Sequence, residues 1–121
     1  YAGQADAVFA DWRRDIDVLA TCPNVHVKLG GLAMPVNGFG WHKREPQPNS
    51  MQLAEATARH HLYTIERFGP ERCMFESNFP MDRVSCSYTV LWNAFKRLAG
   101  DFSAGERRAL FHDNAVRAYA L

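Results

Sequence analysis

The chain has 121 residues, 47% of them hydrophobic and 22% charged, with a formal net charge of +1. That is the composition of a folded chain of one domain's length, and it excludes a disordered or fibrous protein. The lysines and arginines are scattered and no apolar run approaches the ~18 residues of a membrane span, so neither a nucleic-acid partner nor membrane insertion is expected.

The opening Tyr1-Ala2-Gly3-Gln4-Ala5-Asp6 carries no charged-then-apolar leader pattern, which points to the cytoplasm. A first residue other than Met points to a processed product or a piece of something longer. From Asp6 to Ala20, Val8, Phe9, Trp12, Ile16 and Leu19 recur at three- and four-residue spacing, which predicts a helix with one buried stripe. Cys22-Pro23-Asn24 breaks it. Val25 to Leu29 alternates and is β-branched, closing on Gly30-Gly31, and reads as a strand.

Ala33 to Asn49 holds three prolines and two glycines around Phe39, Trp41, His42 and Lys43, and reads as an ordered binding loop. Asn49 or Ser50 then caps a helix through Phe68, ended by Gly69-Pro70 with Gly69 as a left-handed cap. Arg72 to Ser77 is a second strand, and Ser85 to Ala99 a further helix. Ser103 and Glu106 fit a capping box that opens a helix to about His112, and Asn114 to Leu121 forms a last turn.

Strands alternating with helices imply parallel pairing. Two strands are too few for a complete parallel sheet, so the chain reads as the C-terminal part of a larger α/β protein. Ligands in such folds bind at the carboxyl ends of the strands. The first strand delivers Lys28 to one face and Val25, Val27 and Leu29 to the other; the second delivers Glu76 and Asn78 to one face and Ser77 to the other. A Lys28 turned inward needs a carboxylate or an anionic ligand, and Glu76 is the expected partner. A Lys–Glu pair that merely satisfies itself fits the same pattern. His42 is the histidine singled out for substrate contact, and Trp41 is expected as a pocket wall. Trp12 and Trp92 are expected in the core, His60 and His61 as half surface and half packing, and His112 at a helix C-terminus. Cys22, Cys73 and Cys86 form no C-x-x-C pair and are expected as reduced, half-buried packing residues.

Pro23-Asn24-Val25-His26-Val27-Lys28-Leu29-Gly30-Gly31-Leu32, then Phe68-Gly69-Pro70-Glu71-Arg72-Cys73-Met74-Phe75-Glu76-Ser77-Asn78-Phe79-Pro80, then Asn114-Ala115 with Tyr119, together resemble the C-terminal part of the amidohydrolase-related TIM-barrel metal-dependent hydrolases, which include sugar lactonases. The resemblance implies that residues 1–121 hold the last two βα units and C-terminal helices of a (β/α)8 barrel, with two parallel strands corresponding to its seventh and eighth. It implies a hydrolase acting on a lactone, an amide-like bond or a related carboxylate. A divalent metal, zinc or manganese, would belong to the full-length protein, with no metal ligand in this chain, which would be inactive in isolation. Where the family pattern has Gly-Ser-Asp, this chain has Glu76-Ser77-Asn78, so an amide stands at the position of the catalytic Asp. Asn78 and Glu76 are therefore the catalytic candidates, with Asp82 a weaker alternative base, and Lys28, Trp41, His42 and Ser77 the substrate-binding candidates. The expected substrate is small and anionic. The competing expectation is a chain without catalysis that serves in binding or self-association, as a homo-oligomer.

Overall fold

A computed structural model describes residues 3–121. Helix α1 runs Ala5–Ala20, strand β1 Val27–Leu29, helix α2 Ser50–Phe68, strand β2 Cys73–Phe75, and helices α3, α4 and α5 run Tyr88–Leu98, Ala104–Arg108 and Asn114–Tyr119. β1 and β2 pair in parallel, with Val27 opposite Cys73, Lys28 opposite Met74 and Leu29 opposite Phe75. Helix α2 is the crossover between them.

Both strands are shorter than the predicted spans. A ladder needs a partner at every rung, and the residues before Cys73 are wound into a 3-10 turn, Pro70–Arg72, so Val25 and His26 have nothing to pair with. One further rung survives past the strand end, where Glu76 N–H donates to the Leu29 carbonyl at 3.2 Å.

Asn49 caps α2 through a reciprocal box with Gln52, and Ser103 and Glu106 do the same for α4. The helix predicted from Ser85 begins at Tyr88, because Met81–Val84 forms a 3-10 turn and Ser87 takes the N-cap, accepting from Val90 N–H. The helix and separate turn expected near the C-terminus are continuous, α4 passing into α5 through a π-helical turn at Ala109–Asp113. His112 is thus inside that run, and its Nδ1 pairs with Asp113 at 2.8 Å instead of capping a helix end. Gly69 has φ +81° and ψ 147°, positive as expected of a helix-ending glycine but outside the left-handed helical region.

The strand face bearing Leu29, Cys73 and Phe75 packs into the core, where Phe75 stacks on Phe95 at 4.6 Å and meets Phe111 at a tilt at 4.8 Å. α2 lies most extensively on α3, and His61 sits edge-on to Phe95 at 5.7 Å. Trp12 and Trp92 pack against this core while remaining half-exposed. All three cysteines are free; Cys22 is exposed, while Cys73 and Cys86 are fully buried, where a half-buried position was expected. Burial pushes the Cys73 thiol up to about 12 and Cys86 to about 11, so neither is a thiolate at neutral pH.

Two side chains lock the elements together through backbone carbonyls. Arg72 donates to Phe68, Cys22 and Ala20 carbonyls at 2.8, 2.8 and 3.0 Å, tying the end of α1 to the entry of β2. Asn114, wholly buried, donates from Nδ2 to the Pro70 and Cys73 carbonyls, both at 2.6 Å.

Candidate functional site

The carboxyl ends of β1 and β2 lie side by side and carry the polar cluster. Lys28 Nζ is 2.7 Å from Glu76 Oε2, with about half of the lysine and a third of the glutamate side chain exposed (51% and 31%). The hydrogen bond and charge of Glu76 hold the Lys28 ammonium above its ordinary pKa, and the nearby Tyr119 adds to this.

Gly30 is required by this pair. A Cβ at position 30 would lie 2.6 Å from the Glu76 carbonyl oxygen and closer still to its Cγ, so any side chain there displaces the glutamate or its backbone. In the sequence Gly30 marks the strand's end on the face of Lys28; a glycine beside a neighbouring strand is a known mark of close backbone approach.

Past Glu76 the chain turns back. Ser77 Oγ accepts from Phe79 N–H at 3.3 Å, a local bond that holds the turn. Asn78 adopts φ +53°, in the left-handed region that Asn tolerates better than most residues. Its Nδ2 donates to Asp82 Oδ1 at 2.8 Å. Asp82 is wholly buried at the start of the Met81–Val84 turn. Burial pushes its carboxyl above the ordinary carboxylate range, opposed by the Asn78 amide and the Ala33 backbone N–H, with the Glu76 charge adding to the rise.

Of the sequence candidates, the structure brings together Lys28 and Glu76, and joins Asn78 to Asp82. Trp41 is elsewhere: it is buried in the core, stacked on Phe39 at 4.3 Å with nearly parallel rings, because the loop folds its aromatics inward as two 3-10 turns. His42, next to it, is exposed. His61 is buried and its pKa falls to about 4, through desolvation first and the neighbouring His60 second, so it is neutral at physiological pH.

The donors of this chain do not fit a divalent metal by themselves. Among the described residues no three His, Cys, Asp or Glu side chains converge. At the strand ends Glu76 is taken by an ammonium, which repels a cation, and Asn78 turns its Nδ2 donor to Asp82. No helix of the described residues is long and apolar enough to cross a membrane.

A family model described as Amidohydrolase matches residues 1–121. The uncharacterized protein y4mH of Sinorhizobium fredii is 41% identical over 113 residues, covering 93% of this chain and 34% of that protein. An L-fucono-1,5-lactonase of Burkholderia multivorans is 32% identical over 117 residues, covering 96% of this chain and 37% of the lactonase. Two crystal structures of an amidohydrolase from Burkholderia multivorans, one with bound zinc and one with bound HEPES, align with TM-scores of 0.81 and 0.82 at 31% identity. They are matched over 96% of this chain and 39% and 38% of their own length. The chain therefore spans between 34% and 39% of the proteins it is similar to.

Proposed function

This chain belongs to the amidohydrolase family, and from that premise we propose that it is the C-terminal portion of a hydrolase acting on a lactone, an amide-like bond or a related carboxylate. In this reading β1 and β2 are the seventh and eighth strands of a (β/α)8 barrel, and α1 to α5 belong to its outer layer and tail. The observation that carries it is the pair of polar contacts toward the carboxyl ends of two parallel strands, Lys28 with Glu76 and Asn78 with Asp82, where folds of this class place their ligands. The similarity to a sugar lactonase supports the substrate class.

Glu76 is the base in this mechanism. Its carboxylate takes a proton from a water whose oxygen attacks the acyl carbon, and the ring oxygen leaves and is protonated in turn. Asn78, whose amide cannot take a proton near neutral pH, orients that water. Lys28, with His42 and Lys43 on the loop, favours an anionic substrate and stabilises the oxyanion that forms. Ser77 and Trp41 act behind these groups, by holding the turn and the loop. A metal of the kind bound in the Burkholderia structure would be held by the rest of the protein.

The second reading is a chain that has lost hydrolysis and serves in binding or self-association, and it is favoured by the amide at position 78. One experiment separates the two: assay of the longer parent protein on a panel of aldonolactones, with Glu76→Gln beside it. A fall in kcat of at least about 100-fold at unchanged melting temperature supports the base assignment. Full activity in Glu76→Gln removes it, and no activity in the unmutated parent on any lactone, ester or amide favours the second reading.

A further inference from the structure

Asn78 and Asp82 are joined twice. The Asp82 backbone N–H donates to the Asn78 carbonyl at 3.3 Å, and Asn78 Nδ2 donates to Asp82 Oδ1 at 2.8 Å. The second carboxyl oxygen, Oδ2, is buried and has no partner. Asp82 also lines a small cavity of about 10 Å³, at the lower limit for a single water, together with Gly30, Ala33, His61 and Phe95 among others.

Asp82 Oδ1 accepts from the Asn78 amide nitrogen, as an unprotonated carboxyl oxygen does whether or not its neighbour carries a proton. This decides which end of the Asn78 amide turns inward, a choice that is otherwise set only by the surrounding network. With Nδ2 turned in, Oδ1 is turned out, and no group among the described residues donates to it. The left-handed backbone at Asn78, together with the Asp82 N–H bond, fixes the Cα from which the amide extends. A free surface amide rotates; this one is held by a buried anchor.

We propose that Asp82 is the positioning residue of this strand end, holding the Asn78 amide with Nδ2 inward so that the atom presented to a bound water or substrate hydroxyl is the acceptor Oδ1. The identity of what Oδ1 meets rests on the function proposed above; the orientation rests on the geometry alone. A ligand at this point is therefore selected for a hydrogen-bond donor, a water, a hydroxyl or an ammonium, and not for a carbonyl oxygen.

The test is a nitrogen–proton correlation spectrum of the protein, with the Asn78 side-chain pair identified by its loss in Asn78→Asp. In the unmutated protein one proton of the pair is expected downfield and slow to exchange, and the pair moves as Asp82 titrates. Asp82→Asn keeps an acceptor oxygen and is expected to keep the downfield proton while losing the titration. Asp82→Leu is expected to return the pair to the position of a solvent-exposed asparagine with the remaining dispersion intact. A pair that already resonates as solvent-exposed, or that Asp82→Leu leaves unmoved in a folded protein, overturns the proposal. Should Asp82→Leu not fold, Asp82→Asn decides: loss of the titration supports the positioning role and persistence overturns it. An absent lactonase activity with this spectral pattern intact removes the proposed function and leaves the positioning role standing.

Discussion

Lys28 Nζ meets Glu76 Oε2 at 2.7 Å across two parallel strands, and only a glycine at position 30 leaves room for the glutamate that makes the contact. An ion pair this accessible adds little to stability. Its worth is in placing opposite charges at the mouth of the strands.

Lys28→Met is expected to leave the fold intact at neutral pH and to change its alkaline limb. The lysine is held above its ordinary value of 10.5 in the folded state, so its contribution is fully present below that value and is lost as pH rises through the raised one. Denaturant midpoints between neutral and strongly alkaline pH check this: the unmutated protein loses stability there, and the variant does so less steeply.

Gly30→Ala is expected to destabilise by about 1–3 kcal/mol, because the added methyl meets the Glu76 backbone, which yields less readily than a side-chain tip. Calorimetry measures it, with Gly105→Ala as the control, where a Cβ meets nothing within 4 Å.

His61 makes the acid limb. Its pKa falls from 6.5 to about 4 on folding, so the unfolded chain binds its proton first and stability declines as pH falls from about 6.5 to about 4. The shift corresponds to about 3 kcal/mol. His61→Leu is expected to remove a loss of that order between pH 7 and pH 4, read from urea unfolding at the two values.

Asp82 has the opposite sign. Its carboxyl is raised on folding, so the native state holds that proton more tightly, and the stability it contributes is present below the ordinary carboxylate range and lost as pH rises through the raised value. Asp82→Asn is expected to flatten this slope and to be at least as stable as the unmutated protein at pH 7. A variant clearly less stable at pH 7 contradicts it.

Phe95→Ala is expected to cost about 3–5 kcal/mol, since the ring is buried against Phe75, His61 and Trp92 and leaves a cavity that their rings cannot close. Guanidinium unfolding monitored by tryptophan fluorescence measures the loss.

The helices were legible because their determinants are local: the apolar stripe of α1, the Asn49 and Ser103 caps, and the glycine that ends α2. The parallel pairing and the Lys28–Glu76 contact followed from alternation, since a period of two assigns each residue a face. What escaped depends on contacts remote in sequence. Val25 and His26 look like strand until the partner's 3-10 turn leaves them without a rung. Trp41 looks like a pocket wall on a binding loop, and is buried because Phe39 stacks on it and both complete the core. Asp82 looks like a turn carboxylate; its burial, and its hold on Asn78, come from the way the chain doubles back after β2.

Arg72 and Asn114 carry a lesson about what a shared pattern reports. Both belong to the stretches by which this chain resembles its family, and both spend their donors on backbone carbonyls, five bonds in all, that join the ends of α1 and α2 and the start of α5 to the entry of β2. A carbonyl acceptor is the same whatever side chain its residue bears, so these latches are blind to the chemistry at the other end of the strand. A relative that keeps Arg72 and Asn114 while altering Lys28, Glu76 or Asn78 inherits the scaffold without inheriting the reaction, and activity is to be transferred between such proteins only on the strand-end residues.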